Sequence, residues 1–362
     1  MDELQYSAPV AGCASLRAMT QITRRACLAA GLVGLPLAAC ATTPEAPPAW
    51  TPRAAMPWPV QEIYAAVSRG RIVTAGGLVG RGREPLHIQD RTAIYDPRAD
   101  RWSEGPRLPS PRHHPMLVAD PRGRVFALGG YGRSEAGEWT SMTEVWRLDD
   151  GGWVQAGQMP KPLAETTGVW IDGRIHLITG RSPKGAANGN WPDHGDVDWH
   201  WAFSPADGRW EELKPCPMAR NSAAAAVLDG AIWVAGGRTV SGGGTGQLDR
   251  YDVKADRWDT LAPIPASASQ AQQVGGGLAM AAAGGRLVAF GGEWFARGGG
   301  GGVFPETWLY DPRADRWEAG PPMTTPRHGL AAVAIGDTVY AIAGGEVVSG
   351  GRAGAVLEAL QL

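Results

Sequence analysis

The chain has 362 residues and a formal net charge of −2, with 34 basic and 36 acidic residues. This balance, with no basic run and no interleaving of aromatic and basic residues, excludes nucleic acid as an expected partner. Beyond the N-terminal region no long helical period occurs, and 16 tryptophans supply large apolar side chains for packing.

The first 39 residues are predicted to be a leader that takes no part in the fold. The stretch "TRRACLAAGLVGLPLAAC" joins two arginines to an apolar run from Ala26 to Ala39, followed by Cys40. Such a run is too short to span a bilayer and suits a signal peptide. A buried hydrophobic helix is the competing interpretation.

This leader resembles two bacterial export signals. The pair in "TRR" resembles a twin-arginine signal, which implies export, and "LAAC" resembles a lipobox, which implies cleavage before Cys40 and lipidation of its thiol. Acyl chains would anchor the protein to a membrane surface in the periplasm. Met19 stands where such a signal would begin, so residues 1–18 are interpreted as an upstream extension and 19–39 as the signal peptide. The choice between Met1 and Met19 stays open.

Residues 40–49 contain "ATTPEAPPA" and are predicted to form a Pro-rich, semi-extended linker. Leader removal would take away Cys13 and Cys27, and lipidation would occupy Cys40. Cys216 would then be alone in the domain, so no disulfide within the domain is expected.

From Trp50 to the C-terminus the sequence repeats with a period of about fifty residues. Each repeat has a tryptophan followed by a short segment that usually ends in proline, as in "WTPRAAMP" at Trp50 and "WSEGPRLP" at Trp102. A later apolar run ends in glycine, usually two, as in "IVTAGG" and "VFALGG". A third landmark, "AIYDPRADRW", returns as "WLYDPRADRW". Short β-branched and aromatic runs between turn residues predict strands. The other repeat tryptophans are Trp153, Trp210, Trp258 and Trp317.

A double glycine, a Tyr-Asp pair and a tryptophan in this order resemble the kelch motif. The resemblance covers residues 50–362 and implies an all-β, six-bladed kelch β-propeller with four strands per blade. The sixth repeat stops at Leu362 before a closing tryptophan. The strand at Trp50 is therefore expected to complete the last blade and close the ring, which removes exposed sheet edges. A five-bladed ring with frayed ends is the alternative.

Kelch relatives build one channel mouth from two loops per blade, which implies a candidate site. One loop lies twelve residues past each tryptophan, and the other follows the glycines. Polar residues that converge at such a mouth are the default signal of a binding site. Solvation of a water-filled channel is the alternative. The first loops supply Glu62, His114, Glu165, Ser222 and Gln270, with Gly329 after His328 in the sixth repeat, and the second supply Leu78, Tyr131, Arg181, Arg238, Glu293 and Glu346.

Two insertions extend this face, at residues 181–201 of the third repeat and on both sides of the fifth repeat's glycines. Their tryptophans are expected to stack on a sugar ring and their polar side chains to bind its hydroxyls. Capping of the blades is the alternative. The predicted contacts are Trp191, Asp193, His194, Gln272, Gln273 and Trp294, together with Trp199, Asn188 and Asn190.

The stretch "DHGDVDWH" offers oxygen and imidazole groups but has neither the EF-hand pattern nor the two-histidine helix of zinc proteases. We therefore predict no metal and no cofactor.

Two enzyme resemblances bear on activity. Galactose oxidase shares the propeller, but its copper site needs tyrosines and a Tyr-Cys crosslink, whereas Tyr95, Tyr251 and Tyr310 belong to repeat motifs here and Cys216 to a core position. A copper oxidase is rejected.

The architecture is also similar to that of bacterial sialic acid mutarotase, which implies acid–base ring opening of a sugar. Candidate pairs are Glu165 with Arg181 or Arg238, and His114 with Glu62. No motif fixes the pair. The leading expectation is a binding protein for a saccharide, glycoconjugate or protein ligand, and a sugar mutarotase is the alternative.

Overall fold

The computed structural model describes residues 48–80, 86–135, 137–241, 243–268, 270, 274–296 and 299–362. In these ranges the chain forms six four-stranded antiparallel sheets and three two-stranded ones. The predicted leader, Cys40, most of the linker, and the predicted contacts Gln272 and Gln273 lie outside the described residues.

Each large sheet is one blade, and the small sheets extend the hairpins between second and third strands of three blades. The first strand of the domain is β1, Trp50–Pro52. Blade one contains β2 Ala65–Ser68, β3 Arg71–Ala75, β4 Leu78–Val79, β5 His87–Ile88, β6 Thr92–Asp96 and β7 Arg101–Gly105. Blade two contains β8 Met116–Ala119, β9 Val125–Leu128, β10 Tyr131–Arg133, β11 Trp139–Ser141, β12 Glu144–Asp149 and β13 Gly152–Gln158. Blade three contains β14 Thr167–Ile171, β15 Arg174–Pro183, the 3₁₀ turn Trp191–Asp193, β16 His194–Ser204 and β17 Arg209–Glu212.

The remaining three blades complete the ring. Blade four contains β18 Ala224–Leu228, β19 Ala231–Ala235, β20 Leu248–Asp252 and β21 Arg257–Leu261. Blade five contains β22 Leu278–Ala283, β23 Arg286–Gly291, β24 Glu293–Phe295, β25 Gly301–Val303, β26 Thr307–Asp311 and β27 Arg316–Ala319. Blade six contains β28 Ala331–Ile335, β29 Thr338–Gly345 and β30 Ala353–Gln361.

The predicted closure of the ring is confirmed. β1 pairs with β30, with Trp50 opposite Leu360, so that the first strand of the domain is the fourth strand of blade six. Trp50 is buried, its ring meets Phe290 edge-on at 4.9 Å between centroids, and its indole donates to Thr307 Oγ1 at 3.0 Å. The alternative of frayed ends is therefore wrong.

The "YDPRADRW" landmark joins neighbouring blades through two hydrogen bonds to one residue. In blade one, Asp100 accepts from the Tyr95 hydroxyl at 2.5 Å and from the Ala54 backbone N–H at 2.9 Å. Trp102 donates its indole N–H to the Ala54 carbonyl at 2.8 Å. We call this arrangement the inter-blade clamp. Two further blades repeat it. In blade four, Tyr251, Asp256 and Trp258 form the clamp with the backbone of Lys214. In blade five, Tyr310, Asp315 and Trp317 form it with the backbone of Ala262.

Apolar residues predominate among those that line the channel. The first strands of all six blades contribute to a cavity of about 120 Å³, lined by side chains such as Met116, Ala224, Met280 and Ala332. Six charged or titratable residues singled out from the sequence line one mouth, and none of them lines this cavity: Glu62, His114, Glu165, Arg181, Arg238 and Glu293. This placement disfavours the view that they only solvate a water-filled channel.

Cys216 lies buried with a free thiol, and burial raises its pKa to about 12. In the part of the chain that the structure describes, no helix is long and apolar enough to cross a membrane.

Replacement of Trp50 tests the closure. We expect Trp50→Ala to lower the free energy of unfolding by about 3–5 kcal/mol, because a buried indole and its hydrogen bond are lost at the point where the ring closes. Trp191→Ala is the matched control, since that side chain is 48% exposed. Urea titration of both variants measures the difference, and equal losses would contradict the closure.

Candidate functional site

Six inner turns, one per blade, meet at the channel mouth and bond to one another through their backbones. The N–H of His114 donates to the carbonyl of Glu62 at 2.9 Å, and Glu62 donates to Gly329 at 2.7 Å. Ser222 donates to Glu165 at 2.9 Å. Two further bonds connect the turns of blades four, five and six: the N–H of Gly277 donates to the carbonyl of Ser222 at 3.1 Å, and the N–H of Gly329 donates to that of Gly277 at 2.8 Å. We call these six residues the inner ring.

The inner ring requires a left-handed backbone. Glu62, His114, Glu165 and Ser222 have φ between 49° and 56°, in the region that favours glycine, and the other two members are Gly277 and Gly329. A non-glycine residue there costs on the order of 1 kcal/mol or more, and such strain clusters at functional sites. Four polar side chains are therefore held at the mouth against a backbone preference. This strain is our first physical reason to treat the mouth as a functional site.

The structure corrects the sequence register at two positions. Blade five contributes Gly277 and not Gln270, because its entry loop is longer and shifts the count. In blade six the left-handed pair that corresponds to a double glycine is Ala343–Gly344, so Gly345, and not Glu346, pairs with the inner turn at His328. Elsewhere the two loops meet as expected, as in the bridges between His113 and Tyr131 and between Ala164 and Arg181.

Glu165 is the hub of the site. It is buried and accepts hydrogen bonds from Arg181 Nη1 at 2.8 Å and Ser222 Oγ at 2.7 Å, with Arg238 Nη2 and the Tyr131 hydroxyl both at 3.5 Å. Burial alone would raise the pKa of Glu165, but the charges of His114, Arg181 and Arg238 outweigh it and lower that pKa strongly. Glu165 is therefore a stable carboxylate and a weak base.

A carboxylate and two histidines form a second chain. His114 Nε2 lies 2.7 Å from Glu62 Oε2, and His114 Nδ1 lies 2.8 Å from His113 Nδ1. Burial would lower the pKa of His114, but the charge of Glu62 raises it above its usual value. Burial would raise the pKa of Glu62, and His114 instead lowers it to about 2. Burial and the charge of His114 lower the pKa of His113.

These directions assign the protons. When His114 is protonated, which its raised pKa favours, it donates to Glu62 and to His113, so that neutral His113 carries its proton on Nε2. Among the described residues, His113 Nε2 has no hydrogen-bond partner, although His113 is buried in the pocket wall. A buried donor without a partner is unfavourable, and a ligand acceptor would satisfy it.

Arg238 joins the third carboxylate to the hub. It forms a short ion pair with Glu293 and also reaches Glu165. Burial would lower the pKa of Arg238, but the charges of Glu165 and Glu293 outweigh this effect and raise the pKa above its usual value. Glu293 Oε2 also accepts from the Ser349 backbone at 2.8 Å and lies 3.5 Å from His328 Nδ1. His328 therefore supports the site from the side of blade six without lining the pocket.

Above the inner ring lies a cavity of about 620 Å³. We call it the mouth pocket. Its floor is polar and its walls are largely aromatic and aliphatic. The polar lining residues are Glu62, His113, His114, Glu165, Arg181, Asn188, Asn190, His194, Arg238, Thr239, Glu293 and Ser349, and the apolar ones are Leu78, Leu86, Tyr131, Trp139, Trp191, Val240 and Phe295.

The blade-three insertion forms one wall. β15 and β16 continue past the blade as a hairpin whose 3₁₀ turn places Trp191 over Arg181, 3.3 Å from its guanidinium carbon to the ring centroid. Asn188 pairs with the backbone of Ser141 in blade two at 3.0 and 3.1 Å. His194 stacks on Tyr131 and contacts its hydroxyl at 3.2 Å. These contacts fix the wall to blade two.

Several predicted contacts lie elsewhere. Asp193 accepts backbone N–H groups of Gly189 and Asn190 and so stabilises the 3₁₀ turn. Trp294 lies on β24 beside Gly302 and does not line the mouth pocket, whereas its neighbour Phe295 does. Trp199 lies on β16 in a different cleft.

The residues of "DHGDVDWH" do not converge. Asp196 accepts from Asn221 Nδ2 at 2.6 Å and from the Val240 backbone, and His200 contacts His176 at 2.8 Å. Across the described ranges, no group of three or more His, Cys, Asp or Glu residues is placed to hold a metal ion.

The sequence missed three aromatic contacts of the pocket. His113 stacks on Tyr131, with 5.0 Å between ring centroids. It directly precedes the predicted residue His114, so the sequence would have indicated it if the residue before each inner-ring position had also been considered. The ring of Trp139 lies 4.4 Å from that of His113 between centroids. Trp139 comes from the β10–β11 hairpin, and no landmark of the repeat indicates how far this hairpin extends. Phe295 likewise comes from a hairpin extension.

Comparison with known proteins agrees with this fold. A profile of the Kelch motif matches residues 219–265 and 275–324. The chain is 25% identical over 205 residues to Beta-scruin of Limulus polyphemus, a match covering 53% of this chain and 21% of that protein. It is 31% identical over 108 residues to Kelch repeat and BTB domain-containing protein 12 of Danio rerio, covering 30% and 17%. The matched part thus spans about a fifth of these relatives' own lengths.

Among solved structures, that of YjhT matches with a TM-score of 0.69 and 16% identity, covering 86% of this chain and 99% of that one. The chain is therefore a six-bladed β-propeller with kelch repeats, as the sequence predicted.

The Glu62–His114 pair makes the site sensitive to pH. Its stabilisation is complete between the ordinary pKa values of glutamate and histidine. It is lost as pH falls through about 2, where Glu62 protonates, and as pH rises through the raised pKa of His114. We expect Glu62→Gln to return the pKa of His114 towards or below its usual value. The free energy of unfolding should also lose up to about 3 kcal/mol of its dependence on pH in the acidic range.

Histidine NMR titration and unfolding at several pH values measure both effects. Glu138→Gln, at an exposed carboxyl group, is the control. A wild-type His114 that titrates below the usual histidine pKa would contradict the assignment.

Proposed function

We propose that the protein binds a saccharide in the mouth pocket. The observation that carries this proposal is the pairing of an aromatic wall with a floor of neutralised ionic groups. Sugars present C–H faces that pack on aromatic rings and hydroxyls that bond to carboxylates and guanidinium groups.

Size and shape favour a small ligand over a protein partner. The cavity of about 620 Å³ is within the roughly 300–1,000 Å³ that is typical of small-molecule sites. A protein partner would need roughly 800 Å² of complementary surface per side, and the concave mouth offers its polar groups at the bottom. Trp191 and Phe295, both 48% exposed, stand at the rim where a sugar ring would enter.

The charge balance favours a neutral saccharide over an acidic one. Glu62, Glu165 and Glu293 face Arg181 and Arg238 together with the His114 imidazolium. Both guanidinium groups bond to Glu165, and Arg181 Nη2 also donates to the Trp191 carbonyl at 3.1 Å. The carboxylate of an acidic sugar would have to displace Glu165 from these partners.

A second candidate function is sugar mutarotation, and the two adjacent histidines favour it. Ring opening needs one group that takes the anomeric proton and another that protonates the ring oxygen. The raised pKa of His114 suits it to be the acid, and His113 lies beside it in the same wall, with 2.8 Å between their Nδ1 atoms and its own Nε2 directed to the ligand as a hydrogen-bond donor. Of the pairs considered from sequence, the one of His114 with Glu62 supplies an acid, whereas the lowered pKa values of Glu62 and Glu165 make both carboxylates weak bases.

Binding and exchange can be measured in one experiment. We expect saturation-transfer NMR to detect a neutral hexose or hexosamine among glucose, galactose, mannose, N-acetylglucosamine and N-acetylgalactosamine, and Trp191→Ala to weaken its binding at least ten-fold because one face of the pocket is lost. The same spectra report the rate of anomer exchange, and faster exchange that is abolished by His114→Gln supports the mutarotase.

Trp294→Ala is the matched control, because that indole lies outside the pocket lining. N-acetylneuraminic acid tests the charge argument, and its binding in preference to the neutral sugars would contradict it. If no sugar binds, or if Trp294→Ala weakens binding as much as Trp191→Ala, the proposal is wrong.

We also propose, from the sequence, that the protein is exported and lipid-anchored in the periplasm through Cys40. The support is the arginine pair, the short apolar run and the "LAAC" stretch. We expect wild type expressed in a bacterial host to incorporate radiolabelled palmitate and to sediment with membranes, and Cys40→Ser to do neither. Equal labelling of both would refute the anchor, and Cys27→Ser is the matched control.

A further inference from the structure

The seam between blades two and three departs from the inter-blade clamp. Counted from its tryptophan, Trp210, blade three has Phe203 where three other blades have the clamp tyrosine, and Gly208 where they have the aspartate. The Trp210 indole N–H has no hydrogen-bond partner among the described residues. Its ring stacks on Phe203 instead, at 4.7 Å between centroids.

Blade two also differs at this seam. The clamp acceptor would lie four residues past Trp153, at Gly157, as Ala54 lies past Trp50. The pairing of β12 with β13 shifts register between Val145 and Trp146, opposite this segment. A shift of this kind bends a strand and re-aims its backbone groups.

A cleft of about 230 Å³ opens where the clamp is missing, separate from the mouth pocket. Trp199, Trp201 and Trp210 line it, and the rings of Trp199 and Trp201 stack at 4.7 Å with 24° between planes. Trp201 meets Trp210 nearly at right angles, at 6.3 Å. The cleft is therefore a box of indole rings at the outer seam of the propeller.

Charges at the rim indicate what the box attracts. The ammonium group of the exposed Lys161 lies 4.8 Å from the centroid of the Trp199 ring, so a cation of this chain already occupies that face. Glu211 and Glu212 also line the cleft, and Glu211 pairs with Arg174. Glu212 has no ion pair within the ranges that the structure describes. Indole faces and a free carboxylate both attract positive charge.

We propose that this seam cleft binds an organic cation of the quaternary ammonium class, such as a choline group. Quaternary ammonium ions are weakly hydrated and bind over the faces of aromatic residues, tryptophan best of all. The ligand would take the place of the Lys161 ammonium over Trp199, with Glu212 balancing its charge. Displacement is inexpensive, because a cation–π contact at an exposed position is weak.

The Lys161 contact gives a test whose sign is specific. Because its ammonium competes for the Trp199 face, we expect Lys161→Met to tighten binding of tetramethylammonium and choline by about two- to five-fold. A saccharide or peptide that used Lys161 as a hydrogen-bond donor would instead bind more weakly to this variant. Lys254→Met, at an exposed lysine of blade four, is the matched control and should leave binding unchanged.

Calorimetric titration of the folded protein with tetramethylammonium chloride and choline chloride at constant ionic strength measures these affinities. We expect Trp199→Ala to weaken binding at least ten-fold, Trp199→Phe to restore part of it, and Trp191→Ala, in the mouth pocket, to have no effect. Phosphatidylcholine vesicles, compared with phosphatidylglycerol vesicles, distinguish a lipid headgroup from free choline.

Binding of free choline or of phosphatidylcholine vesicles, with the expected effects of these substitutions, supports the proposal. It is overturned if neither choline nor phosphatidylcholine binds, if Lys161→Met weakens binding, or if Trp191→Ala abolishes it. None of these results depends on whether the mouth pocket binds a sugar. Thermal melts of the Trp199 variants separate lost binding from lost folding, and Lys161→Met, at an exposed position, carries the test independently.

Discussion

The mouth of this propeller depends on a circle of backbone hydrogen bonds between six inner turns. Five such bonds link turns of neighbouring blades, and the one from Glu62 of blade one to Gly329 of blade six depends on a complete blade six, which β1 provides by pairing with β30. The bonds require a left-handed backbone, which is unfavourable for Glu62, His114, Glu165 and Ser222. The fold thus accepts local strain to aim these polar side chains at one point.

Electrostatics determine how these side chains share the mouth. Three carboxylates in a buried place would repel one another, and the two arginines and the His114 imidazolium prevent this. A buried ion pair adds little net stability because its desolvation offsets its attraction, but it fixes geometry. With its charges already compensated, the mouth pocket presents hydrogen-bonding groups and an aromatic wall rather than a net charge.

The outer seams follow a different rule. Three of them hold neighbouring blades with a tyrosine, an aspartate and a tryptophan on one backbone residue. Blade three has lost the tyrosine and the aspartate and has gained indoles at Trp199 and Trp201. It also has the long β15–β16 hairpin that walls the mouth pocket. Both departures from the repeat in this blade therefore coincide with a cavity.

The sequence by itself determined the repeat, the strands, the closure at Trp50 and most of the inner ring, because tight turns and apolar alternation are encoded by neighbouring residues. It placed Gln270 and Glu346 wrongly where loop lengths change, since a count along the chain does not know which residue reaches the circle. Only the tertiary structure decided that Trp191 covers the pocket while Trp199 enters a seam and Trp294 lies aside. The direction of a side chain on a long hairpin depends on the blade it packs against, and that neighbour is distant in sequence.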